Sequence, residues 1–363
     1  PWSDIVLSML VNQLQTKKNI FVEKTVGVKK YIAPNIRPLD VVNTARDQSV
    51  AAYKSSPTYL FYETLKGFNF RTLASLYNEK PFMEYTTYEK GALAGKNGVI
   101  DLIKDLNNVL GYEIIANNDT LLNYRTGMYA SELIKHDIRN KSISRKVYNY
   151  HDNFENEDHI VSGVKEGKTE YPLASSVALN PSGQRVSDFP ARTYVVPTSL
   201  HNRSDGQHAT PDNTYPYEAY GAEKWLQRRN SQMTQIKSGL SVNIICHGNT
   251  YINAGQKVIL NLPYTAALKA ANDEINDRFY KGPFLIKNVR HDFSFDKSPQ
   301  KHTMIMSLVK DSIEEPLDSP PDNYEPFAQG DVTIIKQKET YDGVEVKTVP
   351  PGIFGGITKS DEI

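Results

Sequence analysis

The sequence predicts an α+β protein, with a small helix–hairpin domain, an antiparallel β-barrel with one packed helix, and an extended C-terminal arm. Three observations lead to this fold class. Two helix patterns and a hairpin pattern fill residues 1–90. A long helix pattern and four strand patterns close residues 91–310, and residues 311–363 turn acidic and proline-rich. The chain has 363 residues, which allows two or three domains of about 150 residues.

The first module begins with two predicted helices. Ser3 is a candidate N-cap, and a second helix is expected from Pro38, whose fixed φ suits a first helical turn, to about Tyr53. The apolar residues after Ser3 share one helical face, and they are Ile5, Val6, Met9, Leu10 and Leu14.

A β-hairpin and a short helix complete this module. Thr58–Glu63 is rich in β-formers, Lys66-Gly67 supplies a turn, and Phe68–Arg71 alternates on the return. A short helix is predicted around Leu73–Leu76. The module carries no catalytic signature.

The middle of the chain predicts a connecting helix, a long hairpin and a loop-rich insertion. The helix falls within residues 91–111, and the hairpin pairs Tyr129–Asp137 with Ser142–Tyr150. The insertion spans residues 151–215, where only Tyr194–Val196 is strand-like. Loops of this length usually serve binding or assembly.

The clearest pattern is a helix over residues 217–237 followed by four strands. The strands are separated by glycine, proline and asparagine, and they are Leu240–His247, Lys257–Leu262, Phe279–Ser294 and Lys301–Val309. A helix followed by antiparallel strands at this spacing favours a small β-barrel with the helix packed against it.

The arm begins with the acidic, proline-rich stretch Glu314–Asp322, which cannot form a core. A hairpin of Thr333–Ile335 and Val344–Lys347 is possible beyond it, with Asp342-Gly343 at the turn. We expect the arm to be useful only against a partner.

Composition excludes several classes of protein. Lys+Arg and Asp+Glu each number 42, so there is no positive excess to collect nucleic acid or an anionic membrane. The single cysteine excludes an intramolecular disulfide framework, a multi-cysteine zinc site and a cysteine-ligated iron–sulfur cluster. Tyrosine numbers 22 against 13 phenylalanines, an excess typical of protein interfaces.

The N-terminus predicts neither a leader nor a membrane span. The apolar stretch Ile5–Val11 is far shorter than the roughly 20 residues that cross a bilayer, and Asp4 stands where a basic leader would be. Because the first residue is Pro1, we expect a processed chain, a fragment or part of something longer.

Familiar catalytic motifs are missing. The sequence contains no Gly-x-Gly-x-x-Gly, no P-loop, no Gly-x-Ser-x-Gly and no His-Glu-x-x-His. We therefore predict no enzymatic activity and no cofactor, and we assign no catalytic, cofactor-binding or metal-ligating residue.

Two groups of residues that contain histidine are candidate sites. His201 and His208 flank a loop, with Asp205 and Asp212 nearby, but no helical or strand spacing fixes them as metal ligands. Two solvated loop histidines are the favoured interpretation. Cys246 and His247 are strand neighbours that point to opposite faces, so Cys246 is predicted to be a small core residue.

Two groups of charged residues are further candidate sites. Glu155, Glu157 and Asp158 could supply glycosidase-type acid–base chemistry, but a solvated surface is favoured in so charged a stretch. The long hairpin concentrates positive charge, which could face an acidic partner. A solvated face is again favoured there, and the basic residues are Arg139, Lys141, Arg145 and Lys146.

The order of segments resembles the baseplate hub proteins of contractile-tailed, T-even-like phages. Asn35–Asp40 with the Tyr59–Arg71 hairpin is similar to the small domain that hubs insert between two barrels, and Gly127–Asp137 resembles the opening strand of the second barrel. The closing part of a tail-tube-like barrel is matched by Glu223–Ile236, Ser241–Ile245, Asn253–Leu260, Phe279–His291 and Thr303–Asp311. Together the matches cover roughly residues 1–310.

The resemblance implies a structural subunit of the virion, assembled in the host cytoplasm. Hub proteins form a homotrimer that joins the hexameric tail tube to a trimeric central spike, contacts other baseplate proteins, and leaves a channel through which DNA passes without specific binding. Family members carry a first barrel ahead of the inserted domain, and nothing precedes Pro1 here. Either that barrel is on missing sequence or this hub is a reduced form.

Two alternatives stay open. One is a hub or spike component of a type VI secretion or tailocin injection device, which would carry a repeat-rich spike that residues 311–363 do not show. The other is a loop-gated hydrolase using His201, His208 and Asp205, in which His208→Ala would abolish activity and leave the fold intact.

Overall fold

A computed structural model describes most of the chain. The described residues are 1–27, 31–87, 102–116, 118–137, 141–161, 170–174, 184–198, 222–263, 276–295, 300–317, 333–336 and 347–351. They belong to two compact units, Pro1–Pro316 and Leu317–Ile363.

The first helix, α1, spans Trp2–Ser8 and continues as a π-helical turn over Met9–Gln13. On its predicted apolar face, Val6 and Leu10 are buried, Ile5 and Met9 are partly buried, and Leu14 is exposed. The face packs into a cluster with the second helix and the hairpin, formed by Trp2, Val6, Leu10, Val42, Ala45, Ala51, Tyr59 and Phe70.

The predicted N-cap at Ser3 is wrong. The N-cap is Pro1 and the helix begins at Trp2, two residues earlier than predicted, so Ser3 lies inside the first turn and is buried. Its backbone N–H donates to Thr25 Oγ1 at 3.0 Å. A side chain from elsewhere in the chain therefore satisfies a backbone donor at this helix end.

Helix α2 spans Pro38–Gln48 and begins at Pro38 as predicted. It ends before the expected Tyr53 because the chain is drawn into extended pairing. Ala51 forms a β-bridge with Thr25, and its N–H donates to the Ser56 carbonyl at 2.8 Å. Tertiary pairing here overrides a helix-compatible sequence.

The predicted hairpin and short helix are confirmed as β2 (Tyr59–Thr64), β3 (Gly67–Thr72) and α3 (Leu73–Tyr77). A further strand, β1 (Asn19–Val22), was not predicted and lies parallel to β3. At Gly67 φ is +142°, and a Cβ there would lie 2.1 Å from the Asn19 carbonyl oxygen. Only glycine allows β1 to approach this closely.

The remaining elements of this unit follow in chain order. They are β4 (Glu84–Thr86), α4 (Leu102–Leu106), β5 (Val109–Ala116), α5 (Thr120–Arg125), β6 (Ala130–Asp137), β7 (Ser142–Asn149), α6 (Tyr150–Asn153), β8 (Tyr171–Pro172), β9 (Arg192–Thr198), α7 (Arg229–Ser238), β10 (Leu240–His247), β11 (Lys257–Pro263), β12 (Asn276–Ser294), β13 (Lys301–Lys310) and β14 (Ser312–Ile313).

A six-stranded sheet, ordered β4-β11-β12-β13-β10-β5, contains all four strands predicted for the barrel. Its strands pair antiparallel, except that β4 lies parallel to β11. The two edge strands β4 and β5 were not predicted, although α4 lies within the region expected to form a connecting helix. Residues 88–101 lie outside the described part of the chain.

This sheet curls into half a barrel. Its two edges meet at one corner, where Thr86 bridges to Asn108 and the Thr86 N–H donates to the Asn107 carbonyl at 3.1 Å. The concave face is filled by buried side chains from every strand, among them Tyr85, Val109, Val242, Ile244, Val258, Leu260, Phe284, Met304, Met306 and Leu308.

A second sheet, ordered β7-β6-β9, contains the predicted long hairpin. Strand β9, which includes the strand-like Tyr194–Val196, lies parallel to β6. The helix predicted over residues 217–237 is confirmed where it is described, as a π-helical segment over Glu223–Arg228 that continues into α7. The π-helical segment covers one face of this sheet.

The predicted insertion, residues 151–215, is more structured than expected at its start. Helix α6 passes into a 3₁₀ turn over Phe154–Asn156, and the buried His159, Ile160 and Val161 follow. A second 3₁₀ turn spans Val186–Asp188. The rest of the insertion is described only at residues 170–174 and 184–198.

In the C-terminal unit, β15 (Thr333–Lys336) pairs antiparallel with β16 (Lys347–Pro351). The predicted hairpin is therefore right in its first strand, whereas the return strand begins at Lys347, the last residue of the predicted return segment. The expected turn at Asp342-Gly343 lies outside the described residues.

Candidate functional site

A buried polar cluster lies where the start of the insertion meets α7 and the end of β13. The insertion reaches this cluster through helix α6, which is capped by Asn149. The Asn149 side chain accepts from the backbone N–H of His151 at 3.0 Å. The turn that follows places the Phe154 ring on the His159 ring, with centroids 3.7 Å apart. His159 is thereby held against Asp311.

Both ring nitrogens of His159 face acceptors. Nδ1 lies 3.0 Å from Asp311 Oδ2, and Nε2 lies 2.8 Å from the Phe154 carbonyl oxygen. An imidazole donates from both nitrogens only when it is protonated. Burial alone lowers the pKa of His159, but the hydrogen bond and charge of Asp311 outweigh it and raise the pKa above its usual value.

A second ion pair lies beside the first. Arg228 pairs with Glu157, whose side chain is only 7% exposed, and the Gln232 amide donates to the same carboxylate at 2.5 Å. Burial raises the pKa of Glu157, while Arg228 opposes that shift. The neighbouring Asp158 accepts from Lys54 at 2.5 Å, so each of these carboxylates has a cationic partner.

A cavity of about 20 Å³ lies within the cluster, which is room for one water. Tyr150, Gln232 and Gln235 line it, and each has a buried side-chain oxygen without a hydrogen-bond partner among the described residues. The arrangement ties three segments of the chain together, and the cavity is too small to admit a substrate.

The favoured interpretation of Glu157 and Asp158 as solvated is wrong. Their side chains are 7% and 8% exposed, because Ile160 and Val161, directly after them, enter the core between α3 and α7. Glu155 is exposed, as expected. No local spacing could have identified Asp311 as the partner of His159, since 152 residues separate them.

The strand neighbours Cys246 and His247 lie on opposite faces, as predicted. Cys246 is fully buried, and burial raises the pKa of its thiol to about 12, which leaves it protonated and inert near neutral pH. His247 Nε2 lies 3.7 Å from Asp105 on the other side of the sheet.

The remaining candidates divide between exposed and undescribed residues. Arg145 and Lys146 on β7, and Lys141 directly before it, are exposed, as a solvated face requires. The candidates outside the described residues are Arg139, His201, Asp205, His208 and Asp212.

One face of the β7-β6-β9 sheet is left uncovered by the described part of the chain. The opposite face packs Leu133, Tyr194 and Val196 against Trp225 and Leu226. On the uncovered side, Ile143, Val147 and Val195 are 63%, 55% and 65% exposed, and Ile134 lies half-buried between their strands. We call these four residues the bare face.

The half-barrel also leaves a strand edge open. Strand β5 pairs with β10 on one side, and no described strand pairs with its other side along Val109–Ala116. Leu110, Ile114 and Ile115 on this strand are 48%, 42% and 53% exposed. Open edges with apolar side chains are sites where another strand can add.

An apolar groove lies between the hairpin of the N-terminal module and the six-stranded sheet. Its volume is about 260 Å³, and its walls include Phe61, Leu76, Met233 and Leu285. Lys237 and Lys287 also contribute to its lining. The groove offers apolar surface without a cluster of catalytic groups.

No protein-family model matches this sequence, and no curated protein matches it significantly. Among the described residues, no three histidine, cysteine, aspartate or glutamate side chains lie grouped as metal ligands. Every helix in the described part is too short or too polar to span a bilayer.

Proposed function

We propose that this chain is a structural subunit of the central hub of a phage tail baseplate. In this proposal it has no enzymatic activity and forms a homotrimer. It joins the tail tube protein to the central spike protein, contacts other baseplate proteins, and lines part of the channel through which DNA passes. It would be assembled in the host cytoplasm and carried in the virion, without membrane insertion.

The half-barrel is the observation that carries this proposal. The six-stranded sheet meets itself at one corner, and no described strand pairs with the outer side of β5, so this edge is a template for another chain. A tail-tube-like barrel completed by neighbouring subunits would use this edge. The order of helix and strands within the sheet also follows the resemblance described above.

The surfaces and charges support the same proposal. The bare face and the β5 edge both expose large aliphatic side chains on strands, which is the pattern of surfaces that bind other proteins. The buried carboxylates of Glu157, Asp158 and Asp311 are each paired with a cationic side chain. Zero net charge suits a channel that does not retain DNA.

The first test is the solution mass of the purified chain, with low-resolution images of the same sample. We expect a trimer with a central hole, alone or after addition of the candidate spike protein. A chain that stays monomeric as the product of its complete gene and with the spike present would contradict the proposal. In infected cells, loss of this protein should abolish tail assembly, and fully formed infectious tails would also contradict it.

A further inference from the structure

Two histidines are in contact at the end of the β12–β13 hairpin. His291 Nδ1 and His302 Nε2 lie 3.1 Å apart. In the strand register His291 pairs with Met304, and His302 pairs with Phe293. Because cross-strand partners share a face, both imidazoles lie on the same face of the sheet as the buried Met304.

Packing fixes the orientation of the His302 ring. Phe293 stacks on it, with centroids 4.1 Å apart and planes at 13°. On another side lies Gly248, where an added Cβ would come within 2.1 Å of the ring, so no larger residue fits there without a shift. The Gly248 N–H also donates to the His302 carbonyl at 2.9 Å. The ring is thus held in place before any ligand arrives.

The separation of the two nitrogens suits a shared metal ion. Two nitrogens 3.1 Å apart, each about 2.1 Å from one ion, subtend an angle of roughly 95° at that ion. This is close to the right angle between neighbouring ligands in tetragonal or octahedral sites, and it falls short of the tetrahedral angle. Imidazole ligands in tetragonal geometry are typical of Cu²⁺ and Ni²⁺.

We propose that His291 and His302 form a two-imidazole site for a divalent transition-metal ion of the Cu²⁺ and Ni²⁺ class, with water in the remaining positions. The site stands apart from the hub proposal and does not depend on it. No third side-chain ligand is grouped with these histidines in the described part of the chain, so the ion stays accessible to solvent and exchangeable.

The carboxylate that follows His291 in the chain faces away from the two imidazoles. The nearby Asp292 is paired with Arg290 at 3.0 Å, and it pairs in register with Thr303, on the opposite face from the histidines.

A bound ion would link the two strands near the end where β12 connects to β13. An ion that binds only the folded chain raises its stability by an amount that grows with metal concentration. Metal-dependent melting is therefore a second readout, independent of direct binding.

The test titrates CuCl₂ and NiCl₂ into the full chain carrying His201→Ala and His208→Ala, which removes another pair of histidines that are close together in the sequence. We expect one equivalent to bind, the Cu²⁺ electron paramagnetic resonance spectrum to show two nitrogen donors, and the melting temperature to rise. His302→Ala should weaken binding by about tenfold or more. The matched control is His247→Ala on the adjacent strand β10, which faces the other side of the sheet and should bind as before.

If His302→Ala fails to fold, Gly248→Ala supplies a second test. This variant keeps both histidines but displaces the His302 ring. It should also weaken binding and reduce the nitrogen signature, with an unchanged circular dichroism spectrum. Absence of binding, a spectrum without two nitrogens in the parent chain, or equal affinity after His302→Ala would overturn the proposal.

Discussion

The two large sheets of this chain differ in how far their faces are buried. The six-stranded sheet buries its concave face in its own curl, and it also packs Leu285 and Val309 on the other side against Leu76 and Ile236. Among the described residues, the β7-β6-β9 sheet is covered on one side only and presents the bare face on the other. We infer that the first sheet supplies stability to the folded chain and that the second supplies surface for interaction.

We expect the largest loss of stability at the ion pair that joins the insertion to the π-helical segment Glu223–Arg228. Arg228→Met leaves the Glu157 carboxylate buried without its cation, at a cost of on the order of 4 kcal/mol. The measurement is the free energy of unfolding in urea. The double variant Arg228→Met/Glu157→Gln removes both charges and should recover much of this loss, so an equal loss in both variants would refute the ion-pair explanation.

A smaller loss is expected inside the six-stranded sheet. Ile244 is fully buried at the centre of β10, and Ile244→Ala should cost about 3 kcal/mol because it removes apolar contacts and leaves a cavity. The matched control is Val195→Ala on the bare face, which should change the free energy of unfolding by less than about 0.5 kcal/mol. Similar losses at both positions would remove the contrast between the sheets.

The His159–Asp311 pair predicts a pH dependence. The folded pKa of His159 is raised above its unfolded value, so its contribution is fully present below about pH 6.5 and is lost as pH rises through the folded pKa. Unfolding in urea between about pH 6 and about pH 9 should show stability falling more steeply with pH in the parent chain than in His159→Gln. Identical pH profiles would mean that His159 is not held as a cation.

Local patterns were enough to predict most strands and helices of the first unit. The hairpin β2–β3, the hairpin β6–β7 and the strands β10–β13 each carry their own alternation and turn residues. Strands β1 and β4 have no such signal, because each is short and exists only through parallel pairing with a distant strand.

The candidate site was harder to predict for the same reason. The sequence predicted solvated side chains at Glu157 and Asp158 because their partners Arg228 and Lys54 come from remote segments. The His291–His302 contact was accessible in principle, since the hairpin register brings the two residues into diagonal positions once the strand ends are known. The fixed orientation of the His302 ring also depends on Gly248, which directly follows strand β10.

The smallest effect on stability should accompany a large effect on association. Replacing Ile143 and Val147 by glutamate puts charges on the bare face, where both side chains are already more than half exposed, so the free energy of unfolding should change by less than about 0.5 kcal/mol per site. If this face lies in a subunit interface, the buried charges would prevent association, because a buried unpaired carboxylate is strongly unfavourable. The mass of the particle in solution should then fall to that of the monomer.

Leu121→Glu is the matched control, since this α5 side chain is 82% exposed and lies on a helix outside the bare face. It adds the same charge to an exposed aliphatic position and should leave the assembly intact. If the Ile143/Val147 variant assembles as well as the control, the bare face is not an interface. Self-association of the chain would then have to depend on the β5 edge, and the comparison between the two sheets would reverse, with the half-barrel supplying both stability and interaction.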